Sequence, residues 1–194
     1  MHVFLETDRL TLRAFTDVDA GQVRGIVDDA EVMRYINGGR PSPPEEVEGE
    51  LMPRFLHRYP CLGGRPGFWA AQDRASRSFL GWFVLRPEAD DSCREVELGY
   101  RLGRTAWGRG LATEGSRALM HKGFSELGVE RVTANTMTVN TRSRRVMEKA
   151  GMSFVRTFFE QWPDVIEGSE LGDVEYELTR AEWERRREFR PGAR

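Results

Sequence analysis

The stretch WGRGLATEG, Trp107 to Gly115, holds three glycines in nine residues. Beyond it, Ala112, Ser116, Leu119, Met120, Gly123 and Leu127 recur at helical spacing along one face. Ahead of it, EVELGYRL at 95–102 alternates, with Val96, Leu98, Tyr100 and Leu102 on one side and Glu95, Glu97, Gly99 and Arg101 on the other. That is the pattern of a half-buried strand. Strand, glycine turn and helix start in this order make an anion site. The first amides of a helix point outward without partners, and the helix dipole favours negative charge.

Several readings of the turn compete. A P-loop needs Gly-Lys-Ser/Thr at its end, and Leu111 follows Gly110. A dinucleotide fingerprint needs Gly-x-Gly-x-x-Gly; Gly108 and Gly110 fit, but Thr113 takes the third place. The alternating strand is also unlike the continuously apolar strand of a doubly wound sheet. The pyrophosphate of coenzyme A is a third reading, and a tight turn that binds nothing is a fourth.

Working outward, RLTLRAF at 9–15 reads as a strand, and Thr16 with Asp19 as the N-cap signal of a helix carrying Val23, Ile26 and Val27. NGGRPSPP at 37–44 is a loop. Ser42, Pro43 and Glu45 predict N-cap, N1 and N3 of a second helix, which Pro53 should kink or end. Strands follow at 68–72, 79–85 and 95–102, then the helix after the glycine turn, a strand at 130–136, and a helix from Thr141 to Lys149 with Gly151 at C′. Strands at 152–159 and 173–179 and a charged helix complete the order. This predicts an α+β (mixed α/β) fold: a central, mostly antiparallel sheet of about seven strands flanked by helices. Residues 1–194 show no linker or repeat and read as one domain with its core at about 5–180.

With this order, LETDRLTLR, EVELGY, WGRGLATEG and NTRSRRVMEKAGM at 140–152 together resemble the Gcn5-related N-acetyltransferases (GNAT), and within them the ribosomal-protein alanine N-acetyltransferase (RimJ/RimL-type) branch. The resemblance implies a sheet splayed between its fourth and fifth strands, with acetyl-CoA as co-substrate. In the motif Gln/Arg-x-x-Gly-x-Gly/Ala, Trp107 takes the first place, Gly110 the fourth and Ala112 the sixth. The tryptophan departs from the superfamily pattern and is expected to pack. The phosphate contacts then come from the amides of Gly108, Arg109, Gly110, Leu111, Ala112 and Thr113. Backbone groups of Leu98, Gly99, Tyr100, Arg101 and Leu102 would pair with the pantetheine and the thioester oxygen, with Gly99 suited to a bulge or close approach. Asn140 would contact the pantetheine arm. Much of the superfamily has a tyrosine acid seven residues after that Asn, where Met147 stands here, so Ser143 is the residue expected to orient the thiol sulfur. Arg142, Arg144 and Arg145 form a solvated face from which one, Arg145 above all, would meet the 3′-phosphate. Glu97 is the expected general base, with Glu95 a weaker rival and a solvent-facing carboxylate the plain alternative. The branch also implies dimers as a common arrangement.

The acceptor would be a primary amine, on a peptide or protein N-terminus or a small molecule. Residues 160–177 carry seven acids and no Lys or Arg, and Glu45, Glu46, Glu48 and Glu50 add four, which favours a cationic acceptor. Solvated acids are the plainer reading of most of them. Trp162 either packs on substrate or anchors its loop. A catalytically weak acyl-CoA-binding module is the alternative function, on the strength of Met147, and a nicotinamide oxidoreductase the third.

Composition limits the rest. The 194 residues are 39% hydrophobic and 31% charged with net charge −2, as in a globular protein without a nucleic-acid footprint. No apolar run approaches a membrane span, and the first residues lack a secretory pattern. His2, His57, His121, Cys61 and Cys93 have no metal-ligand spacing, so no metal is expected. A reducing cytoplasm with both thiols free is the simplest expectation.

Overall fold

The computed structural model describes residues 3–89, 92–160 and 165–188. Its strands are β1 (Val3–Glu6), β2 (Leu10–Ala14), β3 (Arg58–Tyr59), β4 (Arg65–Pro66), β5 (Phe68–Asp73), β6 (Phe79–Ala89), β7 (Ser92–Leu102), β8 (Arg131–Met137), β9 (Ser153–Phe158) and β10 (Asp173–Thr179). Eight of them form one central sheet in the order β1-β2-β5-β6-β7-β8-β10-β9, and β3 and β4 pair separately beside it. The seven expected strands are all present in the large sheet; β1 is the additional one, too short to show a period. Every neighbouring pair in that sheet is antiparallel except β7 and β8.

That parallel pair sets up the site. It joins only Glu95 with Arg131, Val96 with Val132 and Glu97 with Thr133. Beyond Glu97, β7 continues to Leu102 along β6 alone, and β8 continues to Met137 along β10 alone. The sheet therefore opens from Glu97 onward, between the fourth and fifth of the expected strands. Sheets with unpaired edges inside them are costly, because each unmet amide or carbonyl gives up hydrogen bonds to water. An interior opening of this kind suits an extended polar chain.

Alternation along the strands feeds two cores. Val96, Leu98, Leu102, Phe83 and Leu85 face α5 (Leu111–Glu126) and α6 (Thr141–Ala150). Phe68, Ala70, Trp82 and Val84 face α1 (Ala20–Val27), α2 (Ala30–Asn37) and the helical hook 44–56. Gly115, the third glycine of the opening stretch, has a packing role: a Cβ there would lie 2.3 Å from the Phe83 ring, so α5 sits flush on β6. The charged α7 (Arg180–Glu188) follows β10.

One helix start is as expected, while the hook 44–56 departs in detail. The Thr16–Asp19 signal does cap, with the Thr16 amide donating to Asp19 Oδ2 at 2.8 Å, and Asp19 also receives both terminal nitrogens of buried Arg13. The second helix begins one residue late: Pro43 is the N-cap and Pro44 opens α3 (Pro44–Glu46), while the hydroxyl of buried Ser42 has no partner. Pro53 does not end the hook, which runs on to Leu56. The chain widens into a π-turn, Val47–Leu51, before α4 (Met52–Leu56), so the Met52 amide reaches back five residues to Val47 O. The wider turn accommodates a ring that an ordinary helix interior rejects.

The two cysteines are not free thiols. Cys61 and Cys93 form a disulfide with Cα atoms 5.6 Å apart, joining the turn between β3 and β4 to the start of β7. This overturns the expectation of free thiols, and the cytoplasmic expectation loses that support. The bridge closes a loop across a sequence separation of 32. Reduction should therefore lower unfolding free energy by about 2–4 kcal/mol. Urea unfolding with and without reductant measures this; coincident curves would show that the bridge holds nothing. Among the described residues, no helix is long and apolar enough to cross a membrane.

Candidate active site

The turn before α5 is shaped by its glycines. Gly108 and Gly110 have φ of 70° and 78°, in the left-handed region that glycine enters without strain. Gly110 is the N-cap of α5 and has no side chain with which to cap it. Among the described residues, nothing accepts from the amides of Gly108 to Thr113. The first to find a partner is Glu114's, which donates to Gly110 O at 3.0 Å. The helix thus presents a run of unpaired donors at its positive end.

Residues distant in sequence brace this turn. Arg9 Nη1 donates to Arg109 O at 2.8 Å and its Nε to Glu114 Oε2 at 2.7 Å; Thr7 Oγ1 donates to Glu114 Oε1 at 2.6 Å. Burial opposes ionisation of Glu114, yet the hydrogen bonds from Thr7 and Arg9 hold its carboxyl below the usual range. Trp107 packs on the core as expected and also bonds: its indole N–H donates to Leu102 O at 2.7 Å, so that carbonyl is already used. The Arg142 guanidinium lies 5.5 Å above the Trp107 ring. None of these contacts has a periodic signal; the TDR of the first motif is the one local hint of them.

The opening between β7 and β8 is lined from two sides. Asn140 caps α6, accepting from the Ser143 amide at 3.2 Å, while its Nδ2 donates to Thr136 Oγ1 at 3.1 Å on β8. Ser143 faces β7, where its Oγ stands 2.9 Å from Tyr100 Oη, and the phenol also reaches Ser143 O at 3.1 Å. Burial pushes the Tyr100 phenol up to about 12, against a small opposing effect of the Ser143 hydrogen bond. Met147 is buried at 2% exposure and serves the core. Arg144 is engaged by Thr138 O and Tyr176 Oη, whereas Arg145 is exposed.

Glu97, Gly99 and Arg101 occupy the other face of β7. Glu97 stands on the last rung before the opening. It is paired on one oxygen: Arg86 Nε donates to its Oε2 at 2.7 Å. Among the described residues its Oε1 has no partner. Glu95, the rival, faces Arg131 at 3.3 Å. The β6–β7 register runs unbroken past Gly99, so there is no bulge; the missing Cβ instead leaves space beside Val84, which it would meet at 3.3 Å. Arg101 lies over Trp82 at 5.1 Å, and burial lowers its guanidinium to about 10 despite the negative charge of Glu46.

Three of the seven acids of 160–177 are taken up in the fold: Glu175 and Glu177 bind Arg131, Glu175 also binds Arg156, and Asp173 is buried, whereas Glu167 is exposed and lies 3.8 Å from Arg34. Trp162 lies outside the described residues. A cleft of about 900 Å³ runs along the outer side of α5 and is walled partly by Gly110, Thr113, Arg9 and Arg117. It borders the glycine turn, while the chemistry-bearing groups line the opening in the sheet. Among the described residues, no cluster of His, Cys, Asp or Glu is placed to hold a metal.

Comparison with known proteins agrees with this geometry. Residues 9–153 match the model of the acetyltransferase (GNAT) domain. The FsC-acetyl coenzyme A-N(2)-transacetylase of Aspergillus fumigatus is 37% identical over 161 residues, covering 80% of this chain and 67% of the fungal protein. A GNAT-family acetyltransferase from Bacillus anthracis superposes with TM-score 0.75 at 22% identity, over 93% of this chain and 99% of that one. The spermidine N-acetyltransferase of Vibrio cholerae, solved with CoA and spermine, gives 0.72 at 16% identity, over 91% and 99%. An opened sheet, a turn of unpaired amides and a family match across most of the chain meet in one conclusion: this protein is an acetyltransferase of the GNAT family.

Proposed function

We propose that the chain moves the acetyl group of acetyl-CoA to a primary amine by direct attack in a ternary complex, within one domain spanning 1–194. The carrying observation is the conjunction of the unpaired amides of Gly108–Thr113 with the opening beside Leu98–Leu102. The amides suit a pyrophosphate, and the opening suits the pantetheine arm, whose amides would meet the unpaired edge of β7. Asn140 would hold that arm, and Arg145 is available for the 3′-phosphate.

For the chemistry, the amine must be neutral before it attacks, and an alkylammonium has a pKa near ~10. Glu97 would take the proton through Oε1, with Arg86 steadying the other oxygen. The thioester oxygen would be met by β7 amides, and the departing thiolate by Ser143. The fungal relative is named for transfer to an N(2) position and the Vibrio cholerae enzyme for spermidine, which favours a small amine beside a protein N-terminus as acceptor. The resemblance of LETDRLTLR, EVELGY, WGRGLATEG and NTRSRRVMEKAGM supports reading the chain as RimJ/RimL-like within that family.

An acyl-CoA-binding module is the second reading, favoured by buried Met147 and by the Arg86–Glu97 pair. Thiol release from acetyl-CoA with a panel of polyamines, amino sugars and N-terminal peptides separates the two. Turnover with at least one amine is expected; tight cofactor binding with no release above background would select the module.

A further inference from the structure

Tyr100 and Ser143 project from the two sides of the opening, and their hydroxyls meet at 2.9 Å. No other side chain among the described residues hydrogen-bonds Ser143 Oγ. The position where much of the family carries a tyrosine acid is occupied by Met147, which is buried in the core and has no proton to give. A serine alone is a mobile donor: its O–H rotates freely and points at whatever acceptor is nearest.

We propose that Tyr100 is a positioning residue for thioester cleavage, its phenol donating to Ser143 Oγ so that the serine O–H is turned onto the departing thiolate. This rests on the acetyltransferase reading above. The phenol has a single proton, within reach of both Ser143 O at 3.1 Å and Ser143 Oγ at 2.9 Å. A thiolate is the stronger acceptor for the serine proton, and once it takes that hydrogen bond the Oγ lone pairs are left for the phenol. The resulting chain, phenol to hydroxyl to sulfur, is polarised along its length. In the step itself the amine nitrogen bonds the acetyl carbon, the C–S bond breaks with its electron pair going to sulfur, and the amine proton goes to Glu97. Ser143 and Tyr100 keep their protons. The buried environment that raises Tyr100 keeps the phenol protonated, and hence a donor, through the working range.

Tyr100→Phe removes the hydroxyl and keeps the ring against Phe83, 6.2 Å away. The expected result is a kcat lower by about 10-fold with acetyl-CoA, with unchanged cofactor Kd and melting temperature. With acetyl thioesters of increasingly acidic thiols the deficit should shrink, because a more stable thiolate needs less help. The double variant Tyr100→Phe/Ser143→Ala should be no slower than Ser143→Ala alone, since the phenol acts through the serine. Full kcat in Tyr100→Phe, a deficit equal for every thiol, or additive losses in the double variant would overturn the proposal. Wild-type protein inactive with every amine would overturn the acetyltransferase reading, and this inference with it; an active wild type unaffected by Tyr100→Phe overturns this inference alone.

Discussion

Gly110→Val should raise the Kd for acetyl-CoA by at least ~100-fold, equivalent to about 3 kcal/mol, while the chain still folds. Gly110 sits at φ 78°, where a β-branched residue is strained. The substitution meets no obstacle in the protein, since a Cβ at this position would have Arg9 Nη2 as its nearest neighbour, at 3.6 Å. The damage therefore falls on the turn. Either the peptide rotates and turns amides of the Gly108–Thr113 run away, or the isopropyl group covers them. Calorimetric titration with acetyl-CoA measures the loss, and a melt confirms folding. Wild-type affinity in a folded variant would rule out this turn as the pyrophosphate site. Glu114, one turn further on, anchors the β1–β2 corner through Thr7 and Arg9, so the fold retains its brace.

Glu97→Gln should lower kcat by ~10²-fold or more with the acetyl-CoA Kd unchanged. The amide keeps the shape of the carboxylate and loses its ability to take a proton. pH separates this from a structural effect. As pH rises toward the amine's own pKa near ~10, the acceptor is increasingly neutral without help, so the deficit should narrow. A distortion arising from the broken Arg86 pair would persist at every pH. Near-normal kcat across that pH range would remove Glu97 as base.

Features of the site that belong to one local segment were legible in the sequence. Asn140 as a cap, Gly151 in a left-handed C-cap at φ 102°, and the alternation that puts Glu97 opposite Leu98 depend on neighbours three or four residues away or fewer. The cap shift at Ser42 and the π-turn before Pro53 were not legible, because the signals of adjacent prolines conflict and packing chooses between them. The Cys61–Cys93 bridge ran against a composition-based expectation, which knows nothing of distance.

By itself, the amino-acid order determined the elements, their faces and the glycine turn, because periodicity, caps and positive-φ positions are short-range properties of the backbone. Only the tertiary structure decided which groups meet: Arg86 with Glu97, Thr7 and Arg9 with Glu114, Tyr100 with Ser143. Thr7 and Arg9 stand 107 and 105 positions from Glu114 in the chain, and Tyr100 stands 43 from Ser143. Such encounters follow from the strand order and from a parallel pair that ends after three rungs, and neither is written in any local window.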